Sequence, residues 1–119
     1  MTTPEPPSTS ANGTVIVTLP AEIDLANARD AGDQVLSRLE PGVRLLILDM
    51  TPTRFCDSSG IAMVLRAHIQ ARAEGAEVRL VVSSGHVLRV MTITGLTGVV
   101  PMFPSVNDAL GATARHPPG

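Results

Sequence analysis

The sequence predicts an α/β fold with a mostly parallel sheet, and three observations support this fold class. Apolar runs of strand length alternate along the chain with longer segments of helical periodicity. The run Leu45-Leu46-Ile47-Leu48 is apolar at every position, as in a strand that is buried on both faces. The segments between consecutive strands are long enough for the crossover helices that parallel neighbours require. We therefore expect a sheet of four to five strands with four helices packed on it.

The first half of the chain predicts two strands and a helix between them. The β-branched run 14–19 is the first strand, and Pro20 ends it. Asp24 is the predicted N-cap of a helix over 25–39, and the second strand is predicted over 43–49. The apolar stripe of this helix comprises Leu25, Ala28, Gly32, Val35, Leu36 and Leu39.

The second half predicts three helices and two strands. A helix over 59–74 ends at Gly75. Its apolar stripe comprises Ile61, Val64, Leu65, His68, Ile69 and Arg72. His68 is interpreted as a core or boundary histidine with satisfied hydrogen bonds. The remaining predicted elements are strand 78–82, helix 86–94, strand 99–103 and helix 106–112. Pro101 lacks a backbone N–H and places the last strand at the sheet edge, and Ser105 is the predicted cap of the last helix.

Length and composition predict one domain between two disordered tails. The chain has 119 residues, of which 44% are apolar, an ordinary share for one globular domain. Residues 1–12 carry three prolines among Ser and Thr, and this composition cannot offset the entropy of ordering. We expect the domain to span 13–112, with 1–12 and 113–119 disordered.

Charge and residue usage argue against several function classes. Nine Lys and Arg residues against eleven Asp and Glu give a net charge of −2, and two aromatic residues offer no stacking platform, so nucleic-acid binding is not expected. One cysteine excludes an internal disulfide, and the histidines lack metal-ligand spacing, so neither a metal nor a cofactor is expected. Without an apolar leader or an apolar run of about 18 residues, we expect no membrane partner and a cytoplasmic location.

The run Phe55-Cys56-Asp57-Ser58-Ser59-Gly60 joins the second strand to the next helix, and it is the candidate functional site. A serine at a helix N-terminus lies beside free N–H groups that favour an added anion. In a parallel sheet, loops gather at the carboxyl ends of the strands. We therefore expect the turn carrying Glu22 and Asp24 to share one edge with the turn carrying Asp57 and Ser58.

Simpler roles for these residues remain open on the local pattern alone. Ser58, Ser59 and Asp57 are all favoured helix caps. Cys56 is interpreted as a small buried apolar residue. A hydrolase is not expected, because the Gly-x-Ser-x-Gly sequence around a nucleophilic serine is absent and Cys56 stands two residues before Ser58. The chain is thus expected to have no catalytic residues and not to be an enzyme.

Several stretches together resemble the bacterial anti-sigma factor antagonists, which are built on the STAS domain. Asp57-Ser58-Ser59-Gly60-Ile61 resembles the signature of this family, and Ala21-Glu22-Ile23-Asp24 resembles its Gly-Glu-Leu-Asp turn. Residues 87–96 resemble its third helix and the exit from it, and 103–110 resemble its last strand and helix. The similarity covers roughly residues 13–112 in the family's order, which makes chance an unlikely source.

The resemblance implies a STAS-type fold and a regulatory function. A family member binds an anti-sigma factor that has serine-kinase activity, and the bound sigma factor is released. The matching phosphorylated residue is Ser58, and a serine phosphatase reverses the modification. The partner-binding residues implied by the resemblance are Glu22, Asp24, Asp57, Ser58, Ser59 and Gly60.

Two positions depart from the family pattern. Ala21 replaces the usual glycine, so a turn that needs positive φ there would have to relax. Leu88 stands where the family often carries a polar or basic residue. An alternative function is a STAS-type module that senses a ligand or serves as a scaffold, without a phosphorylation switch.

Overall fold

A computed structural model describes residues 12–112, and all structural statements below refer to this range. The predicted tails lie outside it, apart from Asn12, which lies in a turn before the first strand. The strands are β1 (Thr14–Thr18), β2 (Glu22–Ile23), β3 (Leu45–Met50), β4 (Phe55–Cys56), β5 (Glu77–Val82) and β6 (Met102–Phe103). The helices are α1 (Ala28–Ser37), α2 (Ser58–Ala73), α3 (Gly85–Ile93) and α4 (Val106–Gly111), and Leu96–Gly98 forms a 3₁₀ turn.

The described strands form two sheets in which all pairs are parallel. The main sheet has the order β1-β3-β5-β6, and β2 pairs with β4 in a separate two-stranded sheet. The central strand β3 pairs with β1 and β5 along its length, with Ile47 opposite Ile16 and Arg79. The predicted α/β fold with a mostly parallel four- to five-stranded sheet and four helices is therefore confirmed.

Alternate residues of the central strands point into two cores of unequal size. Leu46, Leu48 and Met50 belong to the large core, which includes the buried residues of α1, α2 and α3. Ile47 and Val81 point to the other face, where they pack with Ala109 of α4. This two-sided burial explains the unbroken apolar run of β3.

Most elements begin and end within two residues of their predicted bounds, but the edge strand is shorter than predicted. It contains only Met102 and Phe103 instead of 99–103. Val99 and Val100 directly follow the 3₁₀ turn Leu96–Gly98, and their N–H groups donate to Leu96 O at 2.9 and 3.0 Å. Leu80 N–H donates to Pro101 O at 3.0 Å. Pro101 thus accepts a hydrogen bond from β5 although it has no backbone N–H to donate, which agrees with its predicted place at the sheet edge.

The predicted apolar stripe of α2 was wrong by about one position. The buried residues of this helix are Gly60, Met63, Val64, Ala67 and Ala71. Leu65 and Ile69, which were predicted to be buried, are 39% and 61% exposed. Small residues on the buried face allow the helix to approach the sheet closely, whereas the larger side chains would hold it away.

His68 was wrongly predicted to have all its hydrogen bonds satisfied. Its Nδ1 is buried and has no hydrogen-bond partner among the described residues. Burial, with a smaller contribution from the nearby Arg72 charge, lowers the pKa of His68. The ring therefore favours the neutral form more strongly than a histidine in solution.

Candidate functional site

The two predicted turns meet at one edge of the sheet, because β2 and β4 pair there. Ile23 lies opposite Cys56 in this pair, and Asp57 N–H donates to Ile23 O at 3.1 Å. Buried Thr53 ties the connecting loop down, since its hydroxyl donates to Pro20 O at 2.7 Å. The turn after β1 and the start of α2 are thus joined directly, as the sequence predicted for parallel strands.

Asp57 caps α2, and this leaves the neighbouring serine hydroxyl unused. Asp57 has an extended backbone, and its Oδ1 accepts from Ser59 N–H at 2.8 Å. Its carbonyl oxygen accepts from Gly60 N–H at 3.0 Å. Ser58 is the first helical residue, its side chain is exposed, and its hydroxyl has no hydrogen-bond partner within residues 12–112. Of the three candidate caps, Asp57 performs this role and Ser58 does not.

The acidic turn beside α2 is held in shape by its own side chains. Asp24 Oδ1 accepts from Ala26 N–H at 2.9 Å and from Asn27 N–H at 3.3 Å. Asn27 returns two bonds, because its Oδ1 accepts from Asp24 N–H at 2.9 Å and its Nδ2 donates to Glu22 O at 2.7 Å. Reciprocal bonds of this kind fix a turn without regular secondary structure.

Asp24 was wrongly predicted to be the N-cap of α1. The helix begins at Ala28, with Asn27 in the cap position and without a side-chain cap bond. Leu25, predicted to lie on the apolar stripe, is 83% exposed in the turn. Asp24 instead closes residues 24–27 into the turn described above, because a short carboxylate competes effectively for nearby backbone N–H groups.

The six predicted partner-binding residues differ in their access to solvent. Glu22 and Ser58 are exposed, and Asp24, Asp57 and Ser59 are half-buried. Gly60 is buried, and the atoms it faces belong to Cys56 and Ile23. Five of the six residues therefore present a surface at this edge, whereas Gly60 lies beneath it.

Cys56 has the buried position that the sequence indicated. It is 1% exposed, and burial, assisted by the neighbouring Asp57 charge, raises its pKa to about 11. The sulfur is therefore a protonated thiol at neutral pH and packs as a small apolar group.

A stacked ring pair beside the site was not anticipated from the sequence. Phe55 of β4 is 43% exposed, and its ring stacks on that of His86 in the first turn of α3, with centroids 6.0 Å apart and an interplanar angle of 14°. One signal was available, since Phe55 is one of two aromatic residues in the chain and directly precedes the functional turn. Pairing it with His86 required the tertiary fold.

The two departures from the family pattern are accommodated without strain. No non-glycine residue in the described range has positive φ, so Ala21 does not need a glycine conformation. Its carbonyl oxygen accepts from Arg54 N–H at 2.8 Å. Leu88 is 43% exposed on α3 and adds an apolar side chain to the surface.

The described part of the chain has neither a candidate metal site nor a candidate membrane helix. No group of three or more His, Cys, Asp or Glu side chains between residues 12 and 112 is arranged to hold a metal ion. None of the helices in this range has the length and apolarity needed to cross a membrane.

Comparison with known proteins gives one family and several related structures. The family model of the STAS domain matches residues 5–109. BtrV of Bordetella bronchiseptica, named as a candidate anti-sigma factor antagonist, is 27% identical over 101 residues, which cover 85% of this chain and 87% of that protein. A crystal structure of an anti-sigma factor antagonist from Mycobacterium paratuberculosis has a TM-score of 0.77 at 22% identity and covers 86% of both chains.

The same fold also occurs inside a much larger protein. The murine anion transporter Slc26a9 matches with a TM-score of 0.72 at 24% identity. The match covers 86% of this chain but 18% of the transporter chain. The fold alone therefore does not select one function, and the chemistry of the site has to do so.

Proposed function

Because this chain belongs to the STAS domain family, we propose that it works as an anti-sigma factor antagonist. It binds an anti-sigma factor that has serine-kinase activity, and the sigma factor held by that partner is released. Phosphorylation of Ser58 by the same partner ends the interaction, and a serine phosphatase restores it. ATP and sigma factors act in the cytoplasm, so the proposal places the chain there as a regulatory protein without catalytic activity.

The observation that carries this proposal is the exposed hydroxyl of Ser58, which has no hydrogen-bond partner among residues 12–112. A kinase needs a hydroxyl that can enter its active site, and a hydroxyl that caps a helix is already engaged. Asp57 supplies the cap bond, so Ser58 can be modified without unfolding the first turn of α2. Because Asp57 and not Ser58 caps the helix, the structure favours Ser58 as a phosphoacceptor over a purely structural serine.

Charge explains how phosphorylation would act on binding while leaving the fold intact. A phosphoserine adds about 1.5 to 2 negative charges, which the helix N-terminus stabilises by about 0.3–1 kcal/mol. At the surface, the phosphate would lie near the carboxylates of Asp57 and the paired acidic turn, so a partner that fits the neutral hydroxyl loses its complementarity. A loss of about 3–4 kcal/mol weakens binding by about 10²–10³-fold.

The alternative function is ligand sensing or scaffolding without a phosphorylation switch. The likeness to a domain of an anion transporter favours keeping this alternative, because that domain shares the fold. It predicts that binding is independent of ATP and that Ser58 stays unmodified. Nucleophilic catalysis has less support, since no histidine in the described range accepts a hydrogen bond from the Ser58 hydroxyl.

A pull-down with intact-mass analysis tests the proposed function. The full chain is incubated with cytoplasmic extract of the source cell, with and without ATP, alongside its Ser58→Ala variant. We expect the wild-type chain to retain a kinase-type partner without ATP, to gain one phosphoryl group with ATP and then to release the partner. The alanine variant should retain the partner under both conditions. A wild-type chain whose mass does not change with ATP would contradict the switch.

A further inference from the structure

The start of α2 makes its tightest contact with the small sheet at Gly60. A Cβ built on Gly60 would overlap the sulfur of Cys56 and would lie 3.0 Å from Ile23 Cγ2. Both neighbours are buried, at 1% and 0% exposure, and the Cys56 sulfur lies too close for a Cβ to fit unless the helix or Cys56 shifts. The helix can therefore lie at its present distance from β2 and β4 only while residue 60 lacks a side chain.

Gly60 differs in this respect from two other helical glycines. Gly85 is the first residue of α3, and beyond its own helix backbone and chain neighbours no atom of the described residues lies within 4 Å of a built Cβ there. At Gly32 of α1 a built Cβ would lie 2.9 Å from Met63 Cγ, so that contact is also close but is less severe than the overlap at Gly60. Among the described glycines the shortest such contact is the one at Gly60, on the helix that carries Ser58.

The contact fixes where Ser58 lies relative to the acidic turn. On one side of Ser58, Asp57 N–H is bonded to Ile23 O at 3.1 Å, and on the other side Gly60 rests on the side chain of the same Ile23. Glu22 and Asp24 flank Ile23 and are held by their own turn. Lifting the first turn of α2 would therefore move the Ser58 hydroxyl while the acidic residues stayed in place.

We propose that Gly60, through its contact with Cys56 and Ile23, is a positioning residue that sets the place of the Ser58 hydroxyl at the partner surface. This inference rests on the proposed function and deepens it, because it assigns a role to the one predicted partner-binding residue that is buried. Gly60 is buried beneath the proposed partner surface, and the first turn of α2 packs against Cys56 at this position.

The space around Gly60 allows a rescue experiment with a matched control. Gly60→Ala adds a methyl group that pushes α2 away from Cys56. Cys56→Ala removes the overlapped sulfur, so the double variant exchanges one buried atom for another, and the Ile23 contact at 3.0 Å needs a shift of only a few tenths of an ångström. Gly85→Ala makes the same substitution in the first turn of a helix with open space.

Two quantities are measured on the full chain and all four variants, each confirmed to be folded by circular dichroism. The first is the backbone amide chemical shifts of Ser58 and Ser59. The second is the rate of Ser58 phosphorylation in source-cell extract with ATP, read by intact mass. We expect Gly60→Ala to move both amide signals and to slow phosphorylation by about 10- to 100-fold, because a displacement near 1 Å has effects of this size. Gly85→Ala should remain within about threefold of the wild type, and Cys56→Ala alone is the reference against which the double variant is compared.

The double variant decides between positioning and simple destabilisation. Return of the amide shifts towards their wild-type positions, together with a phosphorylation rate within about threefold of the wild type, would support positioning. A Gly60→Ala chain that is phosphorylated at the wild-type rate, or a double variant as slow as Gly60→Ala, would overturn it. If the wild-type chain gains no phosphoryl group, the proposed function fails, and the amide shifts then decide alone: unmoved Ser58 and Ser59 signals in Gly60→Ala overturn the inference.

Discussion

The starts of α2 and α3 look alike locally, and yet only the start of α2 has the features on which the proposed regulation depends. Each helix follows a strand, and each has an extended cap residue whose side chain accepts a backbone N–H. Asp57 accepts from Ser59 N–H at 2.8 Å, and Ser84 accepts from Val87 N–H at 3.4 Å. Capping and the helix dipole are therefore common to both and cannot by themselves define the site.

The difference lies in what surrounds each helix start. The first turn of α2 is joined through β4 to β2, and this pairing brings the acidic turn beside Ser58. It also places Cys56 and Ile23 in close contact with Gly60. The first turn of α3 has open space at Gly85, and its own serine, Ser84, is used as the cap. The Ser58 hydroxyl makes no capping bond because the Asp57 side chain caps α2, whereas at α3 the serine itself is the cap.

The largest expected effect is a loss of partner affinity when a negative charge is introduced at the start of α2 but not at the start of α3. Ser58→Asp should weaken binding of the anti-sigma partner by about 10²–10³-fold, because it places a permanent carboxylate where the partner fits a neutral hydroxyl. Ser84→Asp exchanges one good cap for another and should leave affinity unchanged. Titration calorimetry with the partner recovered by the wild-type chain measures both, and equal affinities of the two variants would remove the distinction between the helices.

A smaller effect concerns the strength of the two caps. Asp57→Ala should lower the free energy of unfolding by about 1–2 kcal/mol, since it removes a short charge-assisted bond at a helix N-terminus. Ser84→Ala should cost about 0.5 kcal/mol, because its bond of 3.4 Å is long. Urea denaturation measures both values. A larger loss for Ser84→Ala than for Asp57→Ala would show that the caps are ranked wrongly here.

The Cys56 thiol, against which α2 packs, should make the free energy of unfolding decrease at alkaline pH. Burial raises the pKa of Cys56 to about 11 from its ordinary value of 9.0, so between these values the unfolded chain loses the thiol proton before the folded chain does. Stability contributed by the buried thiol is therefore present below pH 9 and is lost as pH rises towards 11, by about 1 kcal/mol at pH 10.

The chain is well suited to this measurement because it contains neither lysine nor tyrosine, so Cys56 is the only side chain that titrates in this range. Unfolding by urea at pH 8 and pH 10 should show the loss in the wild type and not in Cys56→Ala. The same pH dependence in both chains would mean that the thiol is not protected by burial.

The parts of the fold that depend on local sequence could be predicted. Ser105 caps α4 as expected, with its Oγ accepting from Asp108 N–H at 3.1 Å, and the main strands lie where the apolar runs placed them. The capping preference and the two-residue or 3.6-residue period act within a few residues, so a sequence reader can see them. The shared edge of the two turns followed from parallel topology in the same way.

The features that were missed depend on contacts between distant segments. Strands β2 and β4 have two residues each, which is too short for a period, and they form only because the loops meet. The start of α1 was misplaced because Asp24 bonds within its own turn, and the face of α2 was misplaced because small residues such as Ala67 and Ala71 pack closest to the sheet. The use of Gly60 beside Cys56 belongs to the same class, since a sequence does not show interatomic space.

The most direct test of the central claim compares one chain in two chemical states. The affinity of the purified anti-sigma partner is measured by calorimetry for the unmodified chain and for the chain phosphorylated at Ser58, at one salt concentration. The account predicts tight binding of the unmodified chain and binding about 10²–10³-fold weaker after phosphorylation, with unchanged circular dichroism. Equal affinities for the two states would contradict it.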